Sequence, residues 1–233
     1  MLFVHSKKII TVILLFVATF SFGQSNYNYL DFQQKPYYFG ITLGINRSDY
    51  KVFRSSKFIN NDSIIRVESV RGPGFNLGIV TNLKIGEYFD FRLLPTLSFS
   101  ERNLQYTAPK SLNPRERKVG SVMVELPFQV RFKSAPYHDK RAFVITGVKY
   151  SFDVANESRT RQSDEILKIS PTDFAIEVGA GVQFFFPFFI FSPELKYTHG
   201  IGNVLLHNGT LEQSTVLDKV LSRSFTLSFH FEG

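Results

Sequence analysis

The chain has 233 residues, which suits one domain of ordinary size. It contains no cysteine, which excludes disulfides, a thiolate nucleophile, cysteine-bound metals and a lipid anchor on cysteine. The formal net charge is +7, so anionic lipid head groups or acidic proteins are suitable partners.

Residues 1–23 have the layout of a secretory signal peptide. Lys7 and Lys8 precede an apolar run over 9–20, and small residues at 21 and 23 mark a cut before Gln24. A permanent transmembrane helix is the alternative, but the apolar run is short for one. We expect cleavage, which removes Lys7 and Lys8 and lowers the formal charge to +5. Export places the mature chain outside the cytoplasm, where it does not meet nucleic acid.

Beyond residue 23, apolar and polar residues alternate in eight separate runs, as in strands with one apolar face. No helical stripe separates these runs, and the longest apolar patch, 184–191, is broken by Pro187. An integral membrane protein of this kind must be a barrel, because no membrane helix remains. The runs cover 37–46, 75–84, 89–99, 121–132, 144–154, 173–186, 189–197 and 225–231.

The connections between the runs alternate between short and long. Short turns lie at 85–88, 134–140 and 187–188, whereas long polar connections cover 47–73, 102–117, 156–172 and 199–223. A soluble β-sandwich has no reason to keep this order. The order predicts an all-β, eight-stranded antiparallel up-and-down transmembrane barrel with short periplasmic turns and four long extracellular loops. Residues 24–36 then form a short periplasmic segment, and 37–233 form the barrel.

Charged residues of both signs fall in mid-strand on the face opposite the Phe and Val side chains. They cannot lie unpaired in a dry core, but they can pair across the lumen of a narrow barrel. The predicted lumen charge network consists of Arg92, Glu125, Arg131, Lys149, Asp153, Glu177, Glu194 and Lys196. We expect local bulges at Pro95, Pro127 and Pro193, because each proline removes a ladder donor.

The last run is predicted to close the barrel against the first. Its lipid-facing side chains are Phe225, Leu227, Phe229 and Phe231.

Two enzymatic interpretations are weaker than structural ones. His199, His207 and Ser222 lie near the last long connection, but nothing in the sequence places a base beside a nucleophile. Glu125, Glu177 and Glu194 resemble the acid/base set of a glycosidase, but arginines and lysines on the same face favour an ion-pair network in the lumen. The histidines are scattered and indicate no metal site or cofactor.

Basic residues of the first loop, including Arg47, Lys51 and Arg71, suit lipopolysaccharide phosphates, an acidic partner or plain solvation.

Several segments carry a resemblance to a known family. They are "KPYYFGITLGIN" (35–46), "GFNLGIVTNLKIGEYFDFRLLPTLSFSERNLQY" (74–106), "VELPFQVRFKS" (124–134), "FSPELKYTHGIGNVL" (191–205) and "LSRSFTLSFHFE" (221–232). The chain resembles the PorT/SprT family of outer-membrane components of the type IX secretion system. The third and the last segments are the most distinctive.

The resemblance implies a non-enzymatic accessory that exports cargo with C-terminal sorting domains and often supports gliding motility. It implies other secretion components as partners, including a larger translocon barrel, and it assigns no catalytic residues. A stand-alone barrel with an adhesive or lipid-binding surface is the alternative, because alternation alone fits it equally well.

Overall fold

The computed structural model describes residues 28–55, 66–107, 115–154, 168–206 and 217–233. The predicted signal peptide, part of each long connection, and His207 lie outside these ranges. In the part of the chain described, no helix is long and apolar enough to cross a membrane.

The described residues form one short helix followed by strands. The elements are α1 (Asn28–Gln33), β1 (Tyr37–Arg54), β2 (Arg66–Ile85), β3 (Phe89–Leu93), β4 (Thr96–Thr107), β5 (Arg115–Lys133), β6 (Lys140–Asp153), β7 (Lys168–Ile169), β8 (Thr172–Phe185), β9 (Ile190–Gly200), β10 (Leu205–Leu206) and β11 (Leu217–Glu232).

The strands close into an antiparallel ring with eight positions. Both β3 and β4 pair with β2 on one side and β5 on the other, so they are two parts of one barrel strand. From β5 the ring continues through β6, β8, β9 and β11, and β11 pairs with β1. The predicted eight-stranded up-and-down barrel is therefore confirmed. The short strands β7 and β10 pair with each other in a small separate sheet.

The strand registers fix the size of the ring. A path that starts at Phe39 on β1 and follows paired residues from strand to strand around the ring ends at Asp49, ten residues further along β1. The path runs through Phe39, Thr81, Leu93, Phe128, Val148, Ile176, His199, Arg223 and Asp49. Eight strands with this stagger tilt by about 40° and enclose a backbone radius of about 8 Å. Such a barrel is narrow enough for side chains to fill.

The outer wall is apolar. The apolar side chains of the eight alternating runs point outward and most of them stay exposed, as Ile45 does at 60% of its surface. On β1 this band runs from Tyr37 to Ile45, a height of about 20 Å at the strand tilt above, which approaches the apolar band of about 25 Å in membrane barrels. Exposed aromatic residues border it at the short turns, among them Tyr88, Tyr137 and Phe188. The exterior therefore suits lipid.

The expected bulges at the three prolines are wrong, because the register is the same on both sides of each. Pro95 only interrupts the strand between β3 and β4. Pro127 stays paired with Lys149, and Leu94 N–H donates to its carbonyl at 3.2 Å. Thr96 Oγ1 donates to Leu94 O at 2.6 Å, so a hydroxyl replaces the donor that proline lacks. At Pro193 the pairing with β11 continues, and only the ladder to β8 is interrupted.

The first two long connections contain more strand than expected. β1 continues to Arg54, β2 begins at Arg66, and β4 and β5 extend the wall on the same side of the barrel. These extensions lie beyond the apolar band, so neither face needs apolar residues and alternation no longer marks them. The register shifts on β2, between Arg71 and Gly74, and at the end of β1, between Phe53 and Arg54.

Helix α1 covers the end of the barrel that carries the short turns. Its Tyr29 and Phe32 pack with Tyr38, Phe185 and Ile190. Tyr29 N–H donates to Asp139 Oδ1 at 3.1 Å, and Lys84 Nζ donates to the Phe32 carbonyl. The sequence offered no signal for this helix, because six residues are too few for a periodic apolar face.

Candidate functional site in the barrel interior

The inward face of the barrel is polar and buried, in contrast to the outer wall. Two groups of charged side chains occupy it. We call Asp90, Arg92, Arg131, Glu194 and Glu232 the arginine cluster, and Glu125, Lys149, Glu177 and Lys196 the lysine cluster.

The arginine cluster joins opposite sides of the ring. Arg92 Nη1 on β3 lies 2.8 Å from Glu194 Oε2 on β9, four positions away around the barrel. Arg92 Nη2 is 3.2 Å from Glu232 Oε1, which also lies 3.4 Å from Arg131 Nη1. Arg131 Nη2 is 2.8 Å from Asp90 Oδ2. Both guanidinium groups have 0% exposure. One carboxylate, that of Glu232, thus bridges two arginines across the lumen.

Neutral and charged neighbours complete this cluster. Arg131 Nη2 donates to Tyr38 Oη at 2.9 Å and to Asn82 Oδ1 at 2.8 Å. Lys133 Nζ donates to Asp90 Oδ1, and His230 Nε2 lies 3.4 Å from Glu194 Oε2. With Lys133 included, three cations face three carboxylates. Burial of so many charges is tolerable because each is paired and hydrogen-bonded.

The lysine cluster runs along one side of the wall, over β5, β6, β8 and β9. Lys149 Nζ lies 2.9 Å from Glu125 Oε1 and 3.8 Å from Glu177 Oε1. Lys196 Nζ lies 3.3 Å from Glu177 Oε2. Gln129 Nε2 also donates to Glu177 at 2.7 Å, which makes Glu177 the centre of this cluster. Two cations again face two carboxylates.

The eight residues of the sequence prediction are distributed over these sites. Seven are buried members of the two clusters. Asp153 is the last residue of β6, four positions beyond Lys149, and its N–H donates to the Pro171 carbonyl. Sequence reasoning missed Asp90 and Glu232 as cluster members, along with Tyr38, Lys133 and His230 around them. Asp90 alternates with apolar neighbours, which is the signal that could have added it.

Inward glycines make room for the large inward residues. Gly181 on β8 pairs with Phe143 on β6, and Gly179 pairs with Ile145. A Cβ atom at Gly181 would collide with the Phe143 ring and the Pro193 carbonyl oxygen. The interior is therefore filled to contact at this level.

The four aromatic and aliphatic side chains predicted to face lipid lie on the outward face of β11. Phe225 and Phe231 are exposed, and Leu227 and Phe229 are half-buried. Stacking against β9 accounts for the burial of Phe229, whose ring centroid is 6.1 Å from that of Phe191.

The described residues of the enzymatic interpretation do not meet. His199 is on the outward face of β9, where its ring lies by Tyr197 Oη at 3.3 Å. Ser222 points inward from β11 and donates to Asp173 Oδ2. A base and a nucleophile on opposite faces of the wall cannot act together. Within the described ranges, no group of three acidic or histidine side chains forms a metal site either.

A closed antiparallel barrel with an apolar exterior and a charged, filled interior defines a class of protein: the small transmembrane β-barrels of outer membranes. Residues 22–206 match a protein family described as outer membrane protein beta-barrel domain. The chain belongs to that family.

Several solved structures are similar to this chain. Neisserial surface protein A is 11% identical at a TM-score of 0.42, covering 83% of this chain and 96% of its own. OprG from Pseudomonas aeruginosa is 8% identical at a TM-score of 0.47, covering 84% and 95%. Ail, the attachment invasion locus protein of Yersinia pestis, is 12% identical at a TM-score of 0.36, covering 85% and 100%. No curated protein sequence matches the chain.

Proposed function

We propose that this outer-membrane barrel is a non-enzymatic accessory of the type IX protein secretion system. It is needed for export of cargo with C-terminal sorting domains and, in motile hosts, for gliding. The observation that carries the proposal is the resemblance of five sequence segments to the PorT/SprT family. The two most distinctive segments form the membrane parts of β5 and β11.

These two segments also supply much of the barrel interior. The β5 segment contributes Glu125, Arg131 and Lys133, and the β11 segment contributes His230 and Glu232. The resemblance therefore involves the residues that pair across the lumen as well as the apolar wall. Shared lumen residues support the resemblance more strongly than the alternation of polar and apolar residues does, because alternation alone fits many small barrels.

The filled lumen supports a role in export other than that of the pore. A backbone radius of about 8 Å leaves room only for side chains, whereas open aqueous channels need about sixteen strands. Arg92 and Glu194, from opposite sides of the ring, meet across that space. A barrel with a filled lumen suits the role of an accessory to a larger translocon barrel, which it contacts through its lipid-facing wall and its long loops. The short turns offer too little surface for a specific interface.

The proposal includes an orientation. Outer-membrane barrels have short periplasmic turns and longer extracellular loops. The end covered by α1 accordingly faces the periplasm, and the extended ends of β1, β2, β4 and β5 face the cell exterior.

The test is deletion of the gene in its host, with sorting-domain cargo measured in the culture medium. We expect this cargo to disappear from the medium and to return when the full chain is supplied on a plasmid. The abundance of unrelated outer-membrane barrels serves as the control for general envelope damage. The purified protein should show no large, stable conductance in planar bilayers. Normal cargo export in the deletion strain would leave the stand-alone adhesive or lipid-binding barrel as the better account.

A further inference from the structure

A row of charged side chains crosses the outer wall where the apolar band ends towards the long loops. Asp49 on β1 is the centre of the row, with Arg71 of β2 on one side and Arg223 of β11 on the other. Arg71 Nε lies 3.1 Å from Asp49 Oδ2, and Arg223 Nε lies 3.0 Å from Asp49 Oδ1. Asp49 is buried beneath the two guanidinium groups, while the side chain of Arg71 remains 56% exposed.

The position of the row places it at the level of lipid head groups. On β1 the outward residues change from Ile45, which is apolar, to Arg47 and then Asp49. Charged side chains on the lipid face are costly at the membrane midplane and nearly free at its interface. The Arg71 guanidinium also lies 5.8 Å from the centre of the Phe225 ring, so charge and apolar surface adjoin here.

The row has an excess of positive charge. One carboxylate, Asp49, neutralises one of the two arginines that it binds. Arg47 and Lys51 are exposed on the same face of the same strand, and Arg47 is paired with Phe225 across the ladder. These four cations are spread over three adjacent strands, a width of about 10 Å. A single phosphate contacts one or two such groups, so this width fits a head group with two phosphates.

We propose that Arg47, Lys51, Arg71 and Arg223 form a binding site for the phosphorylated glycolipid of the outer leaflet. Asp49 holds two of the guanidinium groups in place, so that their free edges bind phosphate oxygens. The acyl chains of the same lipid lie against Ile45 and Phe225 below the row. This inference rests on the proposed orientation with the long loops outside, and it is independent of a role in secretion.

The test uses the full chain, purified in detergent, with lipid retention measured by native mass spectrometry. The probes are diphosphorylated lipid A, lipid A with both phosphates removed, and phosphatidylglycerol. We expect the wild type to retain diphosphorylated lipid A at least about tenfold more strongly than the other two probes, because each charge-assisted contact contributes about a factor of ten.

Two pairs of variants separate the site from the fold. Arg71→Gln with Arg223→Gln removes the groups that Asp49 holds, and Arg47→Gln with Lys51→Gln removes the other two cations. Each pair should weaken lipid A retention about tenfold or more. The matched control, Lys35→Gln with Lys140→Gln, changes two exposed lysines at the opposite end and should retain lipid A as the wild type does.

The unboiled gel mobility of each variant reports whether the barrel is folded. The second pair keeps the proposal testable if the first pair fails to fold. Equal lipid A retention by folded wild type and by the folded variants would overturn the site. Equal retention of lipid A and phosphatidylglycerol by the wild type would overturn the assignment to the outer-leaflet glycolipid.

Discussion

Replacement of Arg131 by methionine should destabilise the barrel strongly. The guanidinium of Arg131 is fully buried and makes hydrogen bonds to Asp90, Glu232, Asn82 and Tyr38. Methionine has a similar length and fills much of the space, but it leaves both carboxylates without this partner. The loss is therefore electrostatic more than steric.

The structure sets the expected magnitude. Removing one partner of a buried ion pair typically costs about 3–5 kcal/mol. The lower end applies here, because Asp90 keeps Lys133 and Glu232 keeps Arg92. We expect the free energy of unfolding to fall by about 3 kcal/mol. With a urea dependence of about 2 kcal/mol per M, the midpoint falls by about 1.5 M.

The assay is equilibrium unfolding in urea of the protein refolded into lipid vesicles. The chain has no tryptophan, so far-UV circular dichroism and unboiled gel mobility report the transition. Lys35→Met removes an exposed cation at the short-turn end and serves as the matched control, with a change below about 0.5 kcal/mol. Adding Glu232→Gln to Arg131→Met should recover part of the loss, because Arg92 keeps Glu194 and Lys133 keeps Asp90. A midpoint for Arg131→Met equal to that of the control would refute the reasoning.

Three further outcomes are expected. The protein should resist extraction by carbonate and migrate differently on gels before and after boiling; release without detergent would contradict an integral barrel. Glu125→Lys and Lys149→Glu should each lower the unfolding midpoint, and the charge-swapped double variant should recover part of it; wild-type midpoints in both single variants would argue against pairing. Gly181→Val should reduce the folded fraction on unboiled gels because its Cβ meets the Phe143 ring, whereas Ala180→Val on the outward face should not; equal folding of both would show that the interior has spare room.

The sequence alone was sufficient to predict the ring of eight strands. A period of two is a local property, and each run carries it independently, so an error in one run does not affect the others. Alternating connection lengths then distinguished a barrel from a sandwich. The strand extensions beyond Ile45 and before Phe75 carry little such signal, because they lie past the apolar band, where the outer face turns polar.

The pairing inside the lumen was less accessible to sequence reasoning. Which charges meet depends on the stagger of ten residues around the ring, and alternation does not encode that stagger. The predicted network therefore offered Arg131 only Glu125, Asp153, Glu177 and Glu194 as acidic partners. Arg131 binds Asp90 and Glu232 instead, which lie near the short-turn ends of their strands. The predicted bulges at the prolines were also wrong. At Pro127, the hydroxyl of Thr96 supplies the hydrogen-bond donor that the proline lacks.

The most direct test of membership in an export machine is the composition of the complex that the chain forms in its own host. The tagged full chain is purified from host membranes in mild detergent, with an unrelated tagged barrel of similar size as control. We predict that a larger barrel protein, itself required for export of sorting-domain cargo, is recovered with this chain and not with the control. Recovery of this chain with lipid alone, from membranes in which the larger barrel is intact, would contradict the account.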